Sequence, residues 1–128
     1  MALSKEEQDP LTREIIGAAI EVHKALGPGL LESVYEECLL IELGDRGLAA
    51  TRQVPVPVHF KGRKLDLGYR LDLLVNDSVV VELKAVEKLL PVHEAQLLTY
   101  MKLAGKPVGL LLNFHTAYLR DSIVRRVL

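Results

Sequence analysis

The sequence predicts a three-layer α/β domain built on a mixed central sheet. Three observations carry that expectation. Two amphipathic helical stretches fill the first part of the chain, near-continuous apolar runs at 65–75, 79–86 and 108–114 read as strands buried on both faces, and a further helical stretch lies between the last two runs. With 128 residues, 49% of them hydrophobic, the chain suits one domain with one proper core.

That domain is expected to span residues 1–128, with residues 1–10 as a mobile N-terminal segment. The segment, MALSKEEQDP, is charged and polar where a signal peptide would be apolar, and no apolar run approaches the ~20 residues of a membrane span. A cytoplasmic protein without membrane contact is the expectation. Cys38 stands alone, which excludes a disulfide framework or a thiolate zinc cluster within one chain; it reads as a core thiol.

Leu11 to Leu26 has Ile16, Ala19, Ile20 and His23 along one side, with Ile15, Ala18 and Val22 beside them, the spacing of a helix with a wide buried face. His23 reads as a core histidine. Gly27-Pro28-Gly29 stops this helix. A second helix runs from about Leu30 to Arg46, with Leu31, Val34, Tyr35, Cys38, Leu39 and Leu43 inward and Gly47 placed to end it. Thr51 to Phe60 is Val-rich but carries Pro55 and Pro57, so it reads as an edge strand, since proline cannot donate to a ladder. Lys61-Gly62-Arg63 is a turn. Leu65 to Val75 and Val79 to Val86 are strands around Asn76-Asp77-Ser78, a helix opens at Pro91 and stops at Gly105, and Val108 to Phe114 is a strand. Ile123 to Leu128 fits a last strand or a short helix.

The chemistry sits at the hairpin. A three-residue loop pairs Val75 with Val79 and therefore brings Asp72 opposite Glu82; a two-residue loop would send the carboxylates to opposite faces. Asn and Asp tolerate the left-handed backbone that such a loop needs. Asp72, Glu82 and Lys84 then share one face. Two facing carboxylates in an apolar sheet are costly, because like charge and desolvation both oppose ionisation, and a hard divalent cation removes the conflict. Mg²⁺, with Mn²⁺ as a substitute, would take Asp72, Glu82 and the Leu83 carbonyl as oxygen ligands. Lys84 would serve a metal-bound water or a phosphate; its plainer reading is the neutralisation of Glu82.

Glu32 lies on the helical stripe of Tyr35, Leu39 and Leu43, although by itself it reads as favourable charge at a helix N-terminus. His93, Gln96 and Tyr100 share one face of the later helix, and each is either a satisfied core side chain or a functional one. The net charge of −1 offers no bulk attraction for phosphate. The local clusters Lys61-Gly62-Arg63-Lys64 and Arg125-Arg126 are of the kind that ordinarily form solvated turns and tails, so a nucleic-acid role has to rest on the site.

Gly29-Leu30-Leu31-Glu32-Ser33-Val34-Tyr35 resembles the pattern that names the GxxExxY protein family, and GAAIEVHKALGPG, VELKAV and PVHEAQLLTY extend the resemblance over nearly the whole chain. That family is placed in the PD-(D/E)XK nuclease superfamily. The resemblance implies a restriction-endonuclease-like αβββαβ core with an extra N-terminal helix. It implies Asp72 as the metal-binding Asp, Glu82-Leu83-Lys84 as the (D/E)xK element, Glu32 as the helix-borne acid and Gln96-Leu97-Leu98-Thr99-Tyr100 as the QxxxY element, with Leu71 where many relatives carry Pro.

The function expected on these grounds is Mg²⁺-dependent hydrolysis of nucleic-acid phosphodiester bonds by an activated water, with DNA as the expected substrate. Glu32, Asp72, Glu82, Lys84 and Gln96 would be catalytic, Asp72, Glu82 and Leu83 would hold the metal, and Tyr35, His93 and Tyr100 would position substrate. The acidic pI and the lack of an added recognition domain favour a homodimer or a partner protein. The rival is a catalytically silent binding module, for nucleic acid or protein, on the same fold.

Overall fold

The computed structural model of the protein describes residues 9–128. The expected mobile segment therefore falls outside the described residues except for its last two. Asp9 caps the first helix, accepting at Oδ1 from the backbone N–H of Leu11 (3.1 Å) and Thr12 (3.2 Å), and Pro10 opens it, where a fixed φ suits helix entry.

The elements in chain order are α1 (Pro10–Leu26), α2 (Glu32–Asp45), β1 (Ala50–Pro55), β2 (Val58–Phe60), β3 (Arg63–Leu65), β4 (Arg70–Val75), β5 (Val79–Lys84), α3 (Pro91–Ala104), β6 (Val108–Asn113), a 3-10 turn (Leu119–Ser122) and β7 (Ile123–Val127). Five strands form the main sheet in the order β1-β4-β5-β6-β7. Among the described strands only β5 and β6 run parallel, and α3 is the crossover that a parallel pair requires. The sheet is thus mixed, as expected, and β1 with its Pro55 lies at an edge.

Apolar side chains of the sheet divide between two cores. Leu73, Val75, Val79, Val81, Leu83, Leu110 and Leu112 pack under α1 and α2, while Leu74, Val80 and Leu111 pack against Leu97 and Met101 of α3. Helices therefore cover both faces, which is why these strands read as continuous apolar runs. Cys38 is half-buried at the margin of the first core, and His23 is buried with Nε2 2.8 Å from the Thr116 carbonyl oxygen. The α3 layer sits close at Gly109: a Cβ there would lie 2.5 Å from Met101 Sδ and 2.9 Å from a Leu97 methyl.

Three expectations need correction. The run 51–60 is not one strand. It breaks after Pro55, and Val58–Phe60 pairs instead with Arg63–Leu65 in a separate two-stranded sheet. Leu65 belongs to that hairpin, because Gly68 at φ 82° turns the chain before β4 begins at Arg70. The inward face of α2 is Tyr35, Glu36, Leu39 and Leu43, whereas Leu31 and Val34 are exposed. Of the two forms expected for the C-terminal segment, the strand is the one found: β7, antiparallel to β6.

Candidate functional site

β4 and β5 pair through Val75↔Val79, Leu74↔Val80 and Leu73↔Val81, the register expected from a three-residue loop, with Asn76 and Asp77 at φ 50° and 53°. The ladder stops there, one pair short of Asp72 and Glu82. Beyond it the carboxylates take the place of backbone partners: Leu83 N–H donates to Asp72 Oδ2 at 2.8 Å, and Asp72 N–H donates to Glu82 Oε1 at 3.3 Å. Leu71 and Leu73, which a regular strand would put on one face, lie in opposite cores. The strands part at Asp72.

Glu82 is 6% exposed. Burial first, then the Asp72 charge and a hydrogen bond between the two carboxyls, push it up to about 9, against the pull of the Asp72 backbone N–H and of Lys84. At neutral pH the pair thus holds a proton where two negative charges would otherwise repel. Among the described residues no group of three His, Cys, Asp or Glu side chains is placed to hold an ion. The available donors are two carboxylates and the adjoining Leu83 carbonyl. All are hard oxygens, and a proton shared between carboxyls is what a cation would displace, so these residues fit a divalent ion of the Mg²⁺ type that keeps most of its waters.

A cleft of about 210 Å³ leads to Asp72 and Leu83 from the α2 side, lined also by Glu32, Ser33, Glu36 and Gln53. Glu32 is the first residue of α2 and is exposed. Its placement depends on the loop before it. Gly29 takes φ 100°, and the Tyr35 hydroxyl donates to the Gly27 carbonyl at 2.6 Å while accepting from Leu30 N–H at 3.2 Å. The Tyr35 ring is fully buried and stacks on Phe114 at 4.5 Å between centroids. It ties the loop and is not among the residues that line the cleft, where the expectation was a substrate-positioning side chain.

Lys84 ends β5 opposite Asn113 and is half-buried. Asn113, itself buried, extends the ladder past the end of the strand: its Oδ1 accepts from Val86 N–H at 3.0 Å and its Nδ2 donates to the Val86 carbonyl at 2.8 Å. The segment carrying Lys84 is held from both ends. On α3, Tyr100 lies near enough to the carboxylates that burial, then the charge of Glu82, raises its hydroxyl, with smaller contributions from Tyr69 and Asp72. Gln96 and Tyr100 line a second groove with Tyr69. His93 is engaged elsewhere, its Nδ1 accepting from Leu90 N–H at 3.0 Å to cap α3.

The structure thus brings Asp72, Glu82 and Leu83 together with Lys84 next along β5, sets Glu32 at the cleft and Gln96 and Tyr100 in the groove with Tyr69, while Tyr35 ties the loop before α2 and His93 caps α3. Three residues were missed in the sequence. Glu36 is 7% exposed in the same cleft, where its Oε1 accepts from Gln53 Nε2 at 2.7 Å and its Oε2 from Arg52 at 3.4 Å. Its position four after Glu32 was the available signal, since the two share a helix face. Gln53, at φ 51° within β1, stands across from Asp72 and interrupts the β1–β4 ladder. Nothing in the sequence marks it. Tyr69 lies in the stretch read as strand.

The family model of the PD-(D/E)XK nuclease superfamily matches residues 9–127. No curated protein and no solved structure matches the chain.

Proposed function

The chain belongs to the PD-(D/E)XK nuclease superfamily, and on that premise we propose that it hydrolyses phosphodiester bonds of nucleic acid, DNA first, using a divalent cation held by Asp72, Glu82 and the Leu83 carbonyl. The observation that carries this reading is the Asp72–Glu82 pair at the parting of β4 and β5, with Glu82 kept protonated by burial and by its neighbour. When bound there, Mg²⁺ or Mn²⁺ supplies an acidified water and neutralises phosphate charge. Lys84 stabilises charge developing on the phosphate, in a setting dry enough for such a contact to count. Glu32, at the cleft, accepts a hydrogen bond from the attacking water. Gln96 and Tyr100 hold the strand beside the carboxylates. Gly29, Glu32 and Tyr35 support assignment to the GxxExxY group, with residues 1–128 acting as one cytoplasmic domain and recruiting nucleic acid with a second copy or a partner protein.

A second reading has its own support. Glu32 is exposed, and among the described residues no third carboxylate joins the pair, which suits a binding module without turnover. One assay separates them: purified protein with Mg²⁺ or Mn²⁺ against single-stranded, duplex and branched DNA and RNA, beside Asp72→Ala. Metal-dependent cleavage that disappears in Asp72→Ala is the expected result. Nucleic-acid binding without cleavage on any substrate would assign the module.

A further inference from the structure

We propose that the groove beside the carboxylate pair is a stacking slot for one unpaired nucleobase, so that the substrate is a single-stranded or locally unpaired segment. This rests on the hydrolytic reading of the same site and names its substrate class. The groove measures about 420 Å³ and is walled by Tyr69, Tyr100, Val58 and Val92, with Gln96 and Thr99 as its polar groups. That size and lining, apolar with a few polar contacts, suit one planar heterocycle. The Tyr69 and Tyr100 rings stand 6.0 Å apart at 50°, so neither face is used up by stacking on the other.

Tyr69 is 47% exposed, and its backbone is fixed rather than its ring: its carbonyl accepts from Val56 N–H at 2.8 Å, between the left-handed Gly68 and the start of β4. A ring held at its root and open on its face is ready to receive a base without a large ordering cost. Its position also matters. Tyr69 lines the groove and precedes Asp72 by three residues, at the entry to the strand that carries the carboxylate, so a base in the slot would direct its own phosphates towards the carboxylate pair.

The β2–β3 hairpin supplies the charge that the chain as a whole lacks. Val58, which lines the groove, pairs with Leu65, and by strand alternation Phe60 and Arg63 face the same way. Phe60 is exposed, with the Lys61 ammonium 5.5 Å from its ring centroid. Lys61, Arg63 and Lys64 crowd the hairpin, and there is no Asp or Glu between Asp45 and Asp66. The basic cluster that would otherwise be a solvated turn therefore belongs to the hairpin whose Val58 end lines the aromatic slot. Cations tracking a backbone beside a stacking ring are the common physical solution for single strands. A paired base cannot enter, because both of its faces are already stacked in the duplex.

The test measures binding by fluorescence anisotropy, with Ca²⁺ replacing Mg²⁺, of labelled mixed-sequence single strands of DNA and of RNA and of the matching duplex. Wild type, Tyr69→Ala, Tyr69→Phe and Lys61→Ala are compared. Single strands should bind at least about tenfold tighter than duplex. Tyr69→Ala should lose roughly five- to a hundredfold on single strands alone, the range expected for one base–aromatic stack, and Tyr69→Phe should retain affinity. Lys61→Ala should weaken binding and lower its salt dependence. The DNA and RNA arms identify the sugar, and the slot stands with either. Equal affinity for duplex, a neutral Tyr69→Ala, or no binding to single strands overturns it. The two readings fail separately: Tyr69-dependent binding without cleavage in Mg²⁺ or Mn²⁺ upholds the slot and rejects hydrolysis, whereas cleavage indifferent to Tyr69→Ala does the reverse.

Discussion

Gln53 holds Glu36 through an amide hydrogen bond of 2.7 Å while its own backbone sits at φ 51°, a left-handed conformation in the middle of an edge strand. A non-glycine residue there costs on the order of 1 kcal/mol or more, and residues so strained cluster where a site needs them. The strain at Gln53 and the parting of β4 from β5 occur at the same level of the sheet, on either side of Asp72.

An inversion of the usual strand preference follows at position 53. Glycine is ordinarily about 0.5–1 kcal/mol worse than alanine within a strand. Gln53→Ala keeps the strain and leaves buried Glu36 short of a partner, for a loss of about 1–3 kcal/mol. Gln53→Gly loses the same hydrogen bond but relieves the backbone, so it should melt higher than Gln53→Ala. Denaturant melts of the two variants decide the matter, and the opposite order would show that φ at Gln53 is not strained.

Stability without metal should depend on pH through Glu82. Its folded value of about 9 lies above its ordinary 4.5, so the native state holds the proton more tightly than the unfolded chain does. The sign is therefore fixed: the contribution is complete below about pH 4.5 and is lost as pH rises towards 9. Melting temperatures in chelator should fall across that window, and Glu82→Gln should flatten the profile. Asp72→Asn removes the like charge and should leave the fold intact or firmer while abolishing metal binding. In wild type, a hundredfold excess of Mg²⁺ over its Kd should add about 2.7 kcal/mol; a melt indifferent to metal would count against the site.

Lys84→Ala separates catalysis from charge balance. A lysine that acts on charge developing in the transition state is dispensable for binding, so cleavage should fall about a hundredfold or more with metal and nucleic-acid affinity little changed. If Lys84 only offsets Glu82, the main effect is a lower melting temperature. Rate, affinity and melting measured on one preparation give the answer.

Tyr35→Phe keeps the stack on Phe114 but removes the hydroxyl from the Gly27 carbonyl and the Leu30 N–H. The expected cost is about 0.5–1.5 kcal/mol, the net worth of an ordinary hydrogen bond, because both loop groups are only part-buried. Glu32→Gln, by contrast, should impair cleavage at unchanged stability, since Glu32 is exposed and touches the cleft. Equal effects of both variants on stability would show that the loop tie and the carboxylate are not separate.

How much of this was legible in the sequence depended on whether periodicity alone decided it. The register that leads to Asp72 and Glu82 was legible because loop parity fixes it, and the loop of Asn76 to Ser78 has the residues that its left-handed turn needs, although the ladder itself stops one pair short of them. The β2–β3 hairpin was not, because Val54, Val56 and Val58 keep one alternation going across the break, and only the tertiary path shows that the chain has left the sheet. Tyr35 shares a helical stripe with Glu32, yet three residues along the helix is enough for a long ring to turn into the core while the carboxylate stays at the mouth. His93 was read by face as well, although its place in the first turn of α3 made helix capping the nearer use. Asn113 in an apolar run gave no sign of the clip that it forms on Val86.

The bond from Leu83 N–H to Asp72 Oδ2, at 2.8 Å, makes one backbone amide a built-in reporter. Its proton chemical shift is set by the carboxylate that accepts it, so anything that draws charge from Asp72 must move that resonance. Isotope labelling of leucine nitrogen would reduce a two-dimensional spectrum to the leucine amides, readable without a dye, a substrate or an engineered tag. Ions could then be ranked by titration on the unmodified chain, and occupancy followed under conditions where no turnover occurs.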